Sequence, residues 1–172
     1  MCNLEDFFVG ALRTVNVKLP KSDQEIPLSA QISVGTFIGA KMRVALTPTV
    51  SVLATLQAAP HPVYTVVDNV HLLHTRHVSL AAALASVQTV SLDPIDLGEP
   101  ITITLDPSVR IITSGSEVFF HGRGLHKPDG SGRGDLCVVF VVDMPDKLFL
   151  SPAEQATLRV LLSGGGPTQG AA

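Results

Sequence analysis

The run Leu136-Cys137-Val138-Val139-Phe140-Val141-Val142 is apolar throughout, rich in β-branched side chains, and bounded by Gly134-Asp135 on one side and Asp143-Met144-Pro145 on the other. A run of this length and composition is a strand. Its lack of polar alternation predicts cover on both faces and a central place in a sheet. Cys137 is then expected to be a buried small hydrophobe. Upstream lies a glycine-rich polar loop containing Gly122-Arg123-Gly124 and Gly132-Arg133-Gly134. A phosphate cradle of that composition would follow a strand and open a helix. This loop opens a strand instead, so it reads as a long hairpin connection with left-handed glycines.

The remaining composition narrows the function classes. The chain has 172 residues, enough for one domain or two small ones of roughly 70 to 80 residues each. A net charge of -3 with only 16% charged residues provides no basic surface for nucleic acid. Apolar runs fall far short of the roughly 20 residues of a membrane span, and Met1 to Asp6 lacks the pattern of a secretory leader, so the expected address is cytoplasmic. Two cysteines, Cys2 and Cys137, build neither a disulfide framework nor a cysteine zinc site.

Read in order, the chain opens with a short amphipathic helix over Leu4 to Leu12, bent or ended by Gly10. Thr14 to Leu19 and Glu25 to Val34 alternate apolar and polar residues around a Pro20 to Gln24 turn and form a half-exposed antiparallel hairpin. Lys41 to Leu46 and Val50 to Leu56 repeat the pattern around Thr47-Pro48-Thr49. Ala58-Ala59-Pro60-His61-Pro62 is the best boundary, because its prolines interrupt both helix and sheet hydrogen bonding. Val63 to Val67 and Leu72 to Val78 then flank an Asp68-Asn69 turn. Ser79 caps two helical turns to Ala85. Further strands are expected at Gln88 to Leu92, Ile101 to Leu105, Val109 to Thr113 and Val118 to His121. Ser151-Pro152-Ala153-Glu154 is a capping box opening a helix to about Leu162, and Gly164 to Ala172 form a tail. The expected fold class is therefore all-β with short helices: two similar subdomains, residues 1–59 and 60–147, followed by a terminal helix over 148–163.

Chemistry finds little support in this pattern. His71, His74 and His77 are three apart on a strand, so they point to opposite faces and do not converge on a metal; they read as exposed strand histidines. Serines occur without a Gly-x-Ser-x-Gly elbow, and no base is placed beside Cys137. No enzyme activity and no cofactor are expected. Binding remains: an extended peptide could add to an unpaired edge of the first hairpin, with its side chains against Val15, Val17, Leu28 and Ala30. The alternative is that these four simply face the core.

The order of motifs resembles the C-terminal peptide-binding region of DnaJ-like co-chaperones of the heat-shock protein 40 family. The resemblance runs from Leu4-Glu5-Asp6-Phe7-Phe8-Val9-Gly10 through Gly35-Thr36-Phe37-Ile38-Gly39-Ala40-Lys41-Met42, Pro60-His61-Pro62-Val63-Tyr64 and Val78-Ser79-Leu80 to Gly122-Arg123-Gly124-Leu125 and Gly134-Asp135-Leu136. It implies two tandem β-sandwich subdomains and a dimerisation helix, forming a clamp that holds non-native polypeptide and passes it to heat-shock protein 70. The family's J domain, with its His-Pro-Asp motif, and its cysteine-rich zinc module are not in this sequence, and His61-Pro62-Val63 is not that motif, so the zinc-free type is implied.

By motif position, the resemblance makes Val15, Val17, Leu28 and Ala30 the client contacts of the first subdomain. It makes Arg13 and Lys18 the remnants of a basic cluster that grips the acidic tail of heat-shock protein 70; Thr14 and Asn16 stand where lysines are usual, and Val34 replaces a common lysine. Leu158, Val160, Leu161 and Leu162 on the last helix would join two copies into a homodimer. The expected partners are unfolded polypeptide clients and heat-shock protein 70, with no nucleic acid and no membrane. The competing reading is a structural or adaptor domain that keeps the fold and has lost client binding.

Overall fold

The computed structural model describes residues 1–18, 25–45, 50–147 and 149–163. The Pro20–Gln24 and Thr47–Thr49 turns and the tail from Gly164 lie outside the described residues. The protein is mainly β, with ten strands and three short helices among the described residues: α1 (Asp6–Val9), β1 (Ala11–Lys18), β2 (Glu25–Ile32), β3 (Lys41–Ala45), β4 (Ser51–Thr55), β5 (Tyr64–Val67), β6 (His71–Ser79), α2 (Leu80–Ala85), β7 (Gln88–Leu92), β8 (Ile101–Leu105), β9 (Glu117–Phe120), β10 (Leu136–Asp143) and α3 (Pro152–Leu162). Among the described residues, β1–β2, β3–β4 and β7–β8 are two-stranded antiparallel sheets, and β5-β6-β10-β9 is a four-stranded sheet.

Local chemistry explains most of these boundaries. The first helix is shorter than its periodicity suggests, since Gly10 at φ 76° ends it and Ala11 and Leu12 already belong to β1. Asp68 and Asn69, at φ 50° and 59°, make the left-handed pair that joins β5 to β6. The Ser79 hydroxyl accepts the Ala82 amide and starts α2. Ser151 and Glu154 close a full capping box around Pro152 at the start of α3.

The strand expected at Val109 to Thr113 does not form. Asp106 Oδ1 accepts the amide and the hydroxyl of Ser108, and the Asp106 carbonyl accepts the Val109 and Arg110 amides, so the chain coils into a turn. An aspartate that binds its own downstream backbone outcompetes a short alternating pattern.

β10 does sit inside its sheet, antiparallel to β9 and parallel to β6, with Leu136 opposite Leu72. Cover on both faces is corrected, however: Leu136, Val138 and Phe140 are buried, whereas Cys137, Val139 and Val141 on the outer face are half-buried. Cys137 is therefore not a core residue; partial burial, with Glu117 nearby, raises its thiol pKa. The histidines of β6 also differ from expectation. His77 is exposed beside Asp143, but His71 is half-buried, with Nδ1 accepting the Asp135 amide at 3.0 Å, and His74 is buried.

Buried side chains from Cys2 to Phe140 form one contiguous cluster, with Phe7, Leu125, Val138 and Phe140 fully enclosed. The glycine-rich loop contributes to it. Gly122, Gly130 and Gly132 have positive φ, as a long hairpin connection requires, whereas Gly124 and Gly134 serve close approach: a Cβ on Gly134 would overlap the Val70 carbonyl. Arg133 leaves this loop to cover the Phe8 ring at 4.8 Å and to donate to Asp96 at 2.8 Å and to the Gly124 carbonyl at 2.8 Å. Burial alone would raise the Asp96 pKa, but hydrogen bonds from Arg133 and Gly98 and the charges of Arg133 and Arg123 hold it below the usual carboxylate range. The loop thus ties the N-terminal helix to the segment after β7.

Candidate functional site: the apolar face of the first hairpin

Antiparallel register decides which residues of β1 and β2 share a face. Ala11 pairs with Ile32, Arg13 with Ala30, Val15 with Leu28 and Val17 with Ile26. Directly opposed residues point the same way, so Val15, Val17, Leu28 and Ala30 are brought together on one face, with Arg13 among them. That face is graded. Ile32 at its root is 2% exposed and Leu28 is 7% exposed, but Val15 opposite Leu28 is 51% exposed, and Val17, Ile26 and Ala30 are half-buried. The four residues comprise a floor, Leu28, and a wall that solvent still reaches. The other face carries Leu12 at the root and is otherwise mostly polar, with the Thr14 and Ser29 hydroxyls 3.4 Å apart.

No third strand pairs with this hairpin among the described residues, so each strand presents one edge of amides and carbonyls. Pro27 lies within β2, a position that proline tolerates when its missing N–H faces an unpaired edge. A concavity of about 490 Å3 lies at the root of the hairpin, and Val9, Leu12 and Val34 expose apolar side chains around it. Reasoning from sequence missed these three as site residues. The available signal was Val34, an apolar residue where the resembling family carries lysine, next to Gly35.

Arg13 is already engaged. Its Nε and one terminal nitrogen donate to the two oxygens of Asp6, each at 2.7 Å, and Asp6 is buried beneath. The aspartate also accepts the Asn3 amide at 2.9 Å. Two parallel charge-assisted bonds onto a buried carboxylate anchor α1 to β1, and the guanidinium is not a free cation on the surface. The backbone of Lys18 pairs with Glu25, and its side chain lies outside the described residues.

On α3, Leu158, Leu161 and Leu162 share one stripe at helical spacing, with Val160 off it, and no residue of the helix is buried. Among the described residues, no group of three or more histidine, cysteine or acidic side chains is placed to hold a metal, and no helix is long and apolar enough to cross a membrane.

Residues 1–145 match the family model described as the DnaJ C terminal domain. No curated protein matches the chain.

Proposed function

The chain belongs to the DnaJ C-terminal domain family, a chaperone-type family whose model spans residues 1–145, and on that premise we propose that it captures extended apolar segments of unfolded polypeptides on the open face and edges of β1–β2. The observation that carries this reading is the gradation from buried Leu28 to half-exposed Val15 across one register pair. A client strand pairing with either edge would satisfy its own backbone and place alternate side chains over Val15, Val17, Leu28 and Ala30. Transfer of the client to heat-shock protein 70 is the onward step that the family implies.

We further assign residues 1–59 and 60–147 to two β-sandwich subdomains and residues 148–163 to a dimerisation segment ahead of the tail. The uncovered stripe of Leu158, Leu161 and Leu162, flanked by Val160, supports a homodimer, which would link two weak client sites into one avid clamp.

A second reading, a structural or adaptor domain without client binding, draws on Arg13: its engagement by Asp6 leaves little of the basic cluster that would hold the acidic tail of heat-shock protein 70. Suppression of aggregation of a denatured model protein separates the two. Val15→Asp, at an exposed position, should abolish suppression while leaving the fold intact, and Leu28→Asp should act in the same direction. Unchanged suppression in folded Val15→Asp would reject the assigned face. Sedimentation of the chain truncated after Lys147 should show monomer where the intact chain shows dimer.

A further inference from the structure

The sheet β5-β6-β10-β9 buries one face and leaves the other open. Register places Thr65, Leu73, Cys137 and Phe119 in one row across the outer face, and Glu117 stands two residues from Phe119, opposite Val139. A hollow of about 370 Å3 lies on this face, lined by Val67, Leu73, Phe119, Cys137 and Glu117 together with Asp135 and its surroundings. Leu73 and Cys137 are half-buried, whereas Phe119 is 54% exposed. The proposed client face on β1–β2 contributes no residue to the hollow.

The polar groups at one end are engaged. Asp135 Oδ1 accepts the Gly122 amide at 3.0 Å, its Oδ2 lies 3.3 Å from His121 Nδ1, and its own amide donates to His71 Nδ1 at 3.0 Å. Glu117 differs. It is exposed, and its carboxylate forms no hydrogen bond or ion pair among the described residues. It lies near enough to Cys137 to add to the effect of burial in raising that thiol's pKa. No lysine or arginine lines the hollow among the described residues.

The chain shows elsewhere what completes such a group. Arg133 lies 4.8 Å over the Phe8 ring and donates to Asp96 at 2.8 Å, so ring, carboxylate and guanidinium form one unit. On the outer face Phe119 and Glu117 supply the ring and the carboxylate, and the guanidinium is the missing member.

We propose that this hollow docks an arginine side chain presented by a partner polypeptide, with the aliphatic stem against Leu73 and Cys137 and the guanidinium between the Phe119 ring and the Glu117 carboxylate. The site does not depend on the client-binding reading above. Arginine alone combines an apolar stem, a flat cation that stacks on a ring and a fork that matches a carboxylate. Lysine is a compact, strongly hydrated charge and stacks less well. Leucine fills the hollow and leaves Glu117 unpaired, and an acidic segment is repelled by Glu117 and Asp135. Free arginine brings its own α-carboxylate to this acidic face, whereas within a polypeptide that group is a neutral amide.

Acetyl-Val-Arg-Val-amide titrated into the isotopically labelled intact chain should move the amide resonances of Glu117 to Phe120 and of Cys137 to saturation. The leucine counterpart should bind about fivefold more weakly, the effect of one partly sheltered ion pair, and the lysine peptide should fall between the two. Glu117→Gln, at an exposed position, should abolish the preference for arginine over leucine. Phe119→Ala should weaken the arginine peptide by about fivefold through loss of the stacked ring. Equal binding of the leucine peptide, or an arginine preference that survives Glu117→Gln, overturns the proposal. Free arginine should compete more weakly than the peptide, and equal competition overturns the assignment to a polypeptide. Val15→Asp separates the two sites: its titration should match the parent chain while aggregation suppression is lost. Shifts confined to β1–β2 in the parent chain would reject this site and leave the client-binding reading standing.

Discussion

The hairpins β1–β2 and β7–β8 are both antiparallel pairs in which apolar and polar residues alternate, yet they use that alternation differently. On β7–β8 the apolar set Val90, Leu92, Ile101, Ile103 and Leu105 is buried without exception. On β1–β2 only Ile32 at the root and Leu28 are buried; Val15 opposite Leu28 faces solvent, and Val17, Ile26 and Ala30 are half-covered. Apolar surface that the fold does not need for its own core is available to a partner, and polypeptide is the partner that an unpaired strand edge fits best. Alternation identifies the face, and only packing decides whether the core takes it up.

The largest effect should come from the buried hairpin. Ile103→Ala removes buried methyl groups from the contiguous cluster and should cost about 2–5 kcal/mol in denaturant unfolding. Next comes the link between α1 and β1. Arg13→Ala leaves the buried Asp6 carboxylate without its two charge-assisted bonds, and the loss should be about 1–2 kcal/mol, reduced by the partial exposure of Arg13. If Arg13 instead served chiefly as a tail contact, stability would stay level and only partner binding would fall.

Acid should distinguish the halves further. His74 is held below the ordinary imidazole range by burial first, opposed by its bond to the Val63 carbonyl and assisted by Arg76; His126 is held low by burial and then by Arg133. In the unfolded chain both titrate near a pKa of about 6.5. Their lowered folded pKa values mean that the native state favours the neutral ring. This contribution is complete above that value and is lost as the pH falls through it toward the folded values. Hydrogen exchange between pH 7 and 5 should show β5–β6 losing protection, whereas β1–β2, which has no histidine, should change little. Equal loss in both would end the distinction. Smallest is Val15→Ala, expected to shift stability by no more than about 0.5 kcal/mol. A cost close to that of Ile103→Ala would mean that the first hairpin belongs to the core as fully as β7–β8 does.

The hairpins were legible from sequence because alternation and turn residues act locally: Gln88–Leu92 and Ile101–Leu105 form over the residues expected of them. The four proposed client contacts also share a face, as their spacing required. What depends on distant partners was not legible. The half-open outer face of β10, and with it the position of Cys137, depends on how far other segments cover it, which no local pattern encodes. Arg13 looked like a surface cation because its partner Asp6 is seven residues upstream and reaches it only after Gly10 reverses the chain. The strand missing at Val109 to Thr113 was lost to one aspartate, whose side chain holds Ser108 and whose carbonyl holds the Val109 and Arg110 amides.

The parallel pairing of β6 with β10 carries a kinetic consequence. The Asp135 amide reaches His71 across 64 residues, and the strand that follows completes the sheet. Such long-range closure carries a large entropic cost before any contact forms, and it slows folding. During synthesis, the early hairpins can form while β6 still waits for an apolar strand made much later than β6 itself. Until it arrives, the chain has exposed apolar strands of its own, and for that interval it resembles the molecules its family exists to hold.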